Sequence, residues 1–296
     1  MTRVIMIFID GLGLGVNDPD RNPCSQGEVD LLAHFQDGWD PKPIPEGGYL
    51  IPTETTLGVK GLPQSATGQS TIFTGVNCSR LLGKHLPGFP NKTLREILKE
   101  KSILKQIKSS GLRPAFINAY RPLFFKIKES LQWRLSATTV ANMAAELPFF
   151  QIEDIQKKRS LYHDFSNEAL IARNFDVPYF TPEDAGKILA LTSEKYDFIL
   201  YEYFLTDRAG HSQKMEAAVH VLQTFEIFLK TLLKSVDRER TLIILTSDHG
   251  NIEDLSLKTH TRNPAMTLVW GHRSEQIKDA IHSLEDITPA ILKVLL

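Results

Sequence analysis

Residues 241–251 read TLIILTSDHGN. Leu242 to Leu245 are uniformly apolar, and the run ends on Asp248 and His249 with Gly250 directly behind them. A strand with no polar alternation has no wet face, so it suits a sheet covered by helices on both sides. In an open sheet of that kind the binding crevice lies beyond the carboxyl ends of the strands. An acid and an imidazole placed straight after a strand are therefore the residues to follow. Taken alone they make an ordinary polar turn, and their meaning depends on partners elsewhere in the chain.

Four other runs have the same character: Val4 to Ile9, Pro114 to Ala119, Phe198 to Phe204 and Thr267 to Trp270. Helical patterns separate them. Residues 93–109 place Leu94, Ile97, Leu98, Leu104 and Ile107 at helical spacing before Gly111, and residues 214–234 carry the stripe Ala217, Ala218, Val221, Leu222, Phe225, Phe228 and Leu229. Asp286 to Leu296 reads as a closing helix with Pro289 in its first turn. The alternation predicts an α/β fold, a mainly parallel sheet with helices on both faces. Residues 17–64 contain seven prolines and six glycines and are expected as long loops. Residues 121–182 are mixed and helix-leaning; they are expected as a small inserted cap, leaving 1–120 and 183–296 as the core.

Composition narrows the function. The 296 residues are 42% hydrophobic, enough for a sizeable core, and 34 basic residues nearly balance 35 acidic ones. No overall field exists to hold nucleic acid or an anionic membrane surface, so any anion must be caught locally. The first apolar run is too short for a secretory signal, no stretch is long enough to span a membrane, and Cys24 and Cys78 fit neither a disulfide framework nor a zinc spacing. A cytoplasmic protein acting on a small molecule is the expectation.

The other strand ends supply the partners. Asp10 follows the first strand, Asp207 follows YDFILYEYF by three residues, His211 lies four further on, and His260 sits in the loop before MTLVW. If those strands are neighbours, three carboxylates and three imidazoles converge at one edge, and three acids packed together without positive charge would have sharply raised pKa values. Divalent cations remove that penalty. Carboxylate and imidazole donors suit zinc or manganese, and six of them are too many for one tetrahedral ion but suit two. Two ions on the order of 4 Å apart form a clamp for phosphoryl transfer. A nucleophile is offered by LPQSATGQSTIFTG, where Ser65, Thr67 and Ser70 stand at the start of a helical segment whose unpaired N–H groups can hold phosphate oxygens.

Assembled in this way, the chain resembles the alkaline phosphatase superfamily, within it the branch of cofactor-independent phosphoglycerate mutase and phosphopentomutase. The resemblance rests on IDGLG (9–13), QSATG (64–68), TDRAGH (206–211), SDHGN (247–251) and THTRNP (259–264), in that order. It implies that Asp10, Ser65, Asp248 and His249 surround one metal ion and that Asp207, His211 and His260 hold the other. It also selects Ser65 as nucleophile, three residues before Gly68. Two departures stand out: Gln69 occupies a position where those mutases usually have His, and roughly 60 residues are left for a cap where the phosphoglycerate mutases carry a large domain.

The implied chemistry is attack by Ser65 on a phosphate ester, giving a phosphoseryl intermediate. A small cap would shield that intermediate poorly, which favours hydrolysis over mutase chemistry; a phosphodiesterase or sulfatase shares the ligand set. Arg121, just after the strand ending near Tyr120, is the candidate substrate contact. A metal-free serine hydrolase is disfavoured because PQSAT is not a G-x-S-x-G elbow, and dinucleotide binding because Gly11, Gly13 and Gly15 are followed by VNDPD and not by a helix start. A non-enzymatic, metal-dependent binder of a phosphorylated ligand would have no use for the serine.

Overall fold

The computed structural model describes residues 2–296. Its strands are β1 (Arg3–Ile9), β2 (Lys42–Ile44), β3 (Gly48–Thr53), β4 (Pro114–Phe116), β5 (Ala119–Tyr120), β6 (Phe150–Gln151), β7 (Phe198–Tyr203), β8 (Thr241–Thr246) and β9 (Ala265–Gly271). Seven of them form one sheet in the order β2-β3-β9-β8-β1-β7-β4, and β5 and β6 pair separately. β1 lies at the heart of the parallel part, paired in parallel with β7 on one side and β8 on the other. Its register sets Ile9 beside Tyr203 and Phe8 beside Thr246, so the carboxyl ends of all three strands finish at one level. Asp10, Asp207 and Asp248 therefore leave the sheet at the same edge.

Side chains on β1 alternate between two cores, as the period of a strand requires. Ile5, Ile7 and Ile9 pack in a cluster with Phe225, Phe228 and Leu229 of the helix Met215–Ser235. Val4, Met6 and Phe8 pack in a second cluster with Phe73, Leu104 and Ile291. Both faces of the sheet are dry, which explains the missing polar alternation. No helix among the described residues is long and apolar enough to cross a membrane.

Several elements differ from expectation. Within the seven-stranded sheet the parallel strands are β8, β1, β7 and β4; β9 runs antiparallel to β8, and β3 and β2 continue in that manner. Residues 247–264 contain no helix, and a parallel return normally needs a helical crossover. The start of β9, not its end, consequently faces the site. Residues 17–64 are not all loop, since they supply β2 and β3. The helix expected over 93–109 breaks at Ser102, whose extended backbone ends Lys92–Lys101 while its Oγ accepts the Lys105 N–H and starts Ile103–Ser109. The strand expected over 114–119 stops at Phe116, and Ala119 pairs instead with Phe150.

The interval 121–182 is not walled off as a separate packing unit. Val140 and Ala141 belong to the core that holds Phe8, and Leu161 and Phe165 to the one that holds Ile7. What it places over the sheet edge is the segment 121–136, including the short helices Pro122–Lys126 and Glu129–Gln132.

Candidate metal centre

Six side chains meet beyond the carboxyl ends of β1, β7 and β8, in two groups: Asp10, Asp248 and His249, and Asp207, His211 and His260. In the first, His249 Nε2 lies 3.4 Å from Asp10 Oδ1 and 3.4 Å from Asp248 Oδ2. Ser65 Oγ, at the first turn of the helix Ser65–Thr74, is 3.0 Å from the same nitrogen. Thr67 and Ser70 are fully buried, whereas Ser65 lines the open cavity. In the second group Asp207 Oδ2 is 3.4 Å from His211 Nε2 and its Oδ1 is 3.6 Å from His260 Nε2. Asp207 and His211 share the helix Leu205–Ser212, so their spacing of four puts them on one face.

The surroundings aim these donors. His260 Nδ1 faces the Pro63 carbonyl at 3.0 Å and His211 Nδ1 the Lys258 carbonyl at 3.1 Å. A proton held on Nδ1 by a carbonyl leaves Nε2 as the lone-pair nitrogen turned to the carboxylates. The Gln69 amide donates to Asp248 Oδ2 at 3.2 Å and to Asp10 Oδ2 at 3.4 Å, spanning both acids of the first group. Close packing requires glycine at position 68, where a Cβ would come within 2.9 Å of the Asp248 Cβ. Gly11 has φ +69° and lies against Asp207, so the turn after β1 needs a residue without a side chain.

Three contributors escaped the sequence reading. Glu253, buried, accepts from the Gly13 N–H (3.0 Å), the Asn251 N–H (2.7 Å), Thr261 Oγ1 (2.5 Å) and Asn263 Nδ2 (3.0 Å). It thereby ties together the turn after β1, the turn after β8 and the loop of His260. Asn251 donates to Asp207 Oδ1 at 2.6 Å. It lies within the quoted SDHGN, and Glu253 is only two residues on; an acid beside that motif was the available signal. Arg208, adjacent to Asp207, lines the same cavity as Arg121.

Electrostatics show what the acids lack. Burial, then the charges of Asp248, Asp207 and Glu202, raise the Asp10 carboxyl well above its ordinary range. Burial and Asp207 push Asp248 up to about 8 despite the hydrogen bond from Gln69. Burial and the neighbouring His260 ring hold His249 far below the usual imidazole value, so it is neutral and a lone-pair donor. Asp10 Oδ1 is buried with no hydrogen-bond partner. Clustered acids, a neutral imidazole and an orphaned carboxylate oxygen are what a site for divalent cations requires.

The architecture has counterparts among solved structures. The alkaline phosphatase of the Antarctic bacterium TAB5 superposes with a TM-score of 0.59 at 15% identity, covering 99% of this chain and 98% of that one. A phosphoglycerate mutase from Leishmania mexicana gives 0.55 at 11%, covering 99% and 95%. Residues 183–296 match the sequence model of the Metalloenzyme superfamily. The C-terminal part of this chain carries the Metalloenzyme superfamily signature, on a fold shared with alkaline phosphatase. Asp207, His211, Asp248, His249 and His260 all fall within the matched residues, and the fold brings Asp10 and Ser65 to them from outside.

The chain is also similar over part of its length to 2,3-bisphosphoglycerate-independent phosphoglycerate mutases. One from Pseudomonas fluorescens is 29% identical over 122 residues, 38% of this chain and 24% of that protein. Another, from Ruthia magnifica subsp. Calyptogena magnifica, is 31% identical over 116 residues, 36% of this chain and 23% of that one. The alignment thus spans about a quarter of the length of these metalloenzyme relatives.

Proposed function

We propose that the chain transfers the phosphoryl group of a phosphate ester to Ser65 and then to water, a two-metal phosphohydrolase. The observation that carries this reading is the position of Ser65 Oγ, 3.0 Å from His249 Nε2, at a helix N-terminus, and on the wall of the cavity that also exposes Asp10 and Asp207. Asp10, Asp248 and His249, with Ser65 beside them, would hold one divalent ion, and Asp207, His211 and His260 a second, manganese or zinc by donor type. Bound there, the ions supply Lewis acidity toward phosphate oxygens and lower the pKa of the serine hydroxyl.

The chain's own groups define the rest. Ser65 Oγ forms a bond to phosphorus as the ester P–O bond breaks, and the departing alcohol ends with the proton the serine gave up. Water then cleaves the phosphoserine, releasing phosphate and restoring the hydroxyl. The helix N-terminus at Ser65 favours the phosphate charge, and Arg121 and Arg208 on the cavity wall offer fixed positive charge to its oxygens. A second reading, phosphoryl return to the same molecule as in a mutase, draws support from the names of the relatives. Hydrolysis is favoured because Leu123 and Phe89, on the cavity wall, are 62% and 60% exposed, which leaves water a path to the phosphoserine.

The test is elemental analysis of the purified protein, followed by phosphate release from a panel of phosphomonoesters, diesters and sulfates with manganese or zinc restored. Ser65→Ala should lose turnover by roughly 10^3-fold or more while keeping its metal content. Isomerised phosphate ester in place of free phosphate would establish the mutase reading. Full activity in the variant would remove Ser65 from the chemistry.

A further inference from the structure

The cavity beside Ser65 has a volume of about 650 Å³, within the range that houses drug-sized ligands, roughly 300–1,000 Å³. Beyond the metal-ligand edge one continuous part of its wall is hydrocarbon: Phe89, Tyr120, Leu123, Phe124, Ile127 and Leu135. The aromatic part is backed rigidly, because the Tyr120 and Phe124 rings lie 4.4 Å apart and each is 4.7 Å from the ring of Phe149. Several uncharged polar groups on the wall are already engaged, although His163 Nδ1 is unpartnered and Arg121 and Arg208 add charged donors near the phosphate end. Asn118 exchanges hydrogen bonds with the backbone of Glu202, and the Tyr120 hydroxyl meets Thr139 Oγ1 at 2.6 Å, which Ser136 Oγ also contacts.

Along the hydrocarbon stretch from Tyr120 and Phe124 to Leu135, a sugar or a short hydroxy acid would bury hydroxyls without partners, at a cost of about 1–3 kcal/mol each. The apolar wall also does not stop at the mouth. Leu123 and Phe89 carry it onto the surface, and Phe125 and Leu131, in the same segment 121–136 as Leu123, are exposed as well. Such a rim has nothing to do for a ligand that ends inside the cavity.

Building on the phosphoryl-transfer reading, we propose that the substrate is a phosphate ester of a long apolar alcohol, an amphiphile. Its phosphate sits at Ser65 and its hydrocarbon part runs along Tyr120, Phe124 and Leu135 to the rim at Leu123 and Phe89.

The experiment is kcat/KM for n-alkyl phosphates from butyl to decyl, each below its micelle threshold, with the metal-loaded full chain and with glycerol phosphate and a pentose phosphate for comparison. Each methylene that reaches the wall should raise kcat/KM, by roughly fourfold at full burial, so octyl should exceed butyl at least tenfold. Leu123→Asp and, separately, Phe89→Asp should flatten that slope; both side chains are surface-exposed, so the fold is not at stake. A flat series, or a preference for either polar ester, with butyl phosphate still hydrolysed, overturns the apolar-substrate inference and leaves phosphoryl transfer standing. Turnover of none of these esters overturns both.

Discussion

The rings of His249 and His260 stack 3.7 Å apart with their planes 14° from parallel. Each belongs to a different ligand group, so this contact is where the two groups touch. His260 also lowers the basicity of His249. The stack therefore couples the groups both mechanically and electrostatically.

Under the two-ion proposal, His260→Ala should weaken both ions, not only the one that His260 would ligate. Calorimetric metal titration is expected to show stoichiometry falling from two to one or less, with lowered affinity for the ion that remains. An unchanged first affinity would mean that the stack carries no coupling.

The metal-free protein should lose stability as pH rises from about 6.5 to 8.5. Asp248, raised to about 8, Glu202, raised by burial to about 7, and Asp10, also raised, all fold more readily protonated than ionised. Groups with raised folded values stabilise below their unfolded values and lose that contribution as pH climbs through the folded ones. His249, depressed, acts oppositely, but its contribution is already complete above pH 6.5. The loss should be on the order of 2 kcal/mol, a few degrees in Tm. Calorimetry of chelator-treated protein checks it, and saturating manganese or zinc should abolish the slope; a flat Tm without metal would contradict the electrostatic account.

Glu253→Gln should be damaging although its side chain acts on the candidate cation donors only through the loops it holds. Glutamine replaces an acceptor by a donor in a pocket already filled with donors from Gly13, Asn251, Thr261 and Asn263. A loss of about 2–3 kcal/mol in urea unfolding is expected. Metal affinity should drop roughly 10–100-fold, as when the groups supporting ligands are removed. Wild-type stability and affinity together would show that the loops hold themselves.

Gly68→Ala inserts a methyl 2.9 Å from Asp248 Cβ and 3.0 Å from the Asp248 carbonyl oxygen. Backbone must shift, either at the nucleophile helix or at the β8 turn. Turnover should fall roughly 10²-fold from misplacement alone, with a stability loss of about 1–3 kcal/mol. Steady-state kinetics beside a thermal melt would separate the two effects, and unaltered kinetics would mean that the helix and turn yield without cost.

The candidate site was readable from the sequence because its three acids follow buried strands within a few residues, and strand ends of a parallel sheet share an edge. Asp10, Asp207 and Asp248 needed no further geometry. Glu253 was missed because it acts through four hydrogen bonds that come from three separate loops, a relationship with no periodic signature. β3 was hidden by Pro52, a residue usually read against strands. It is tolerated because β2 covers only Gly48 to Leu50, so Pro52 lies where β3 has no neighbour on that side. The break at Ser102 was invisible because the apolar spacing resumes after it, and only the serine cap reports the turn. The cavity wall was equally obscure, since Phe89, Leu123 and Leu135 come from segments too short to show a period.

Those wall residues and the cation donors occupy different stretches of the chain. On the proposed reading, recognition of the apolar part lies between Phe89 and Leu135, and reactivity in the turns after β1, β7 and β8 and at the start of one helix. A descendant of this protein can thus be retuned toward a new molecule by rewriting the first set, with the second inherited untouched.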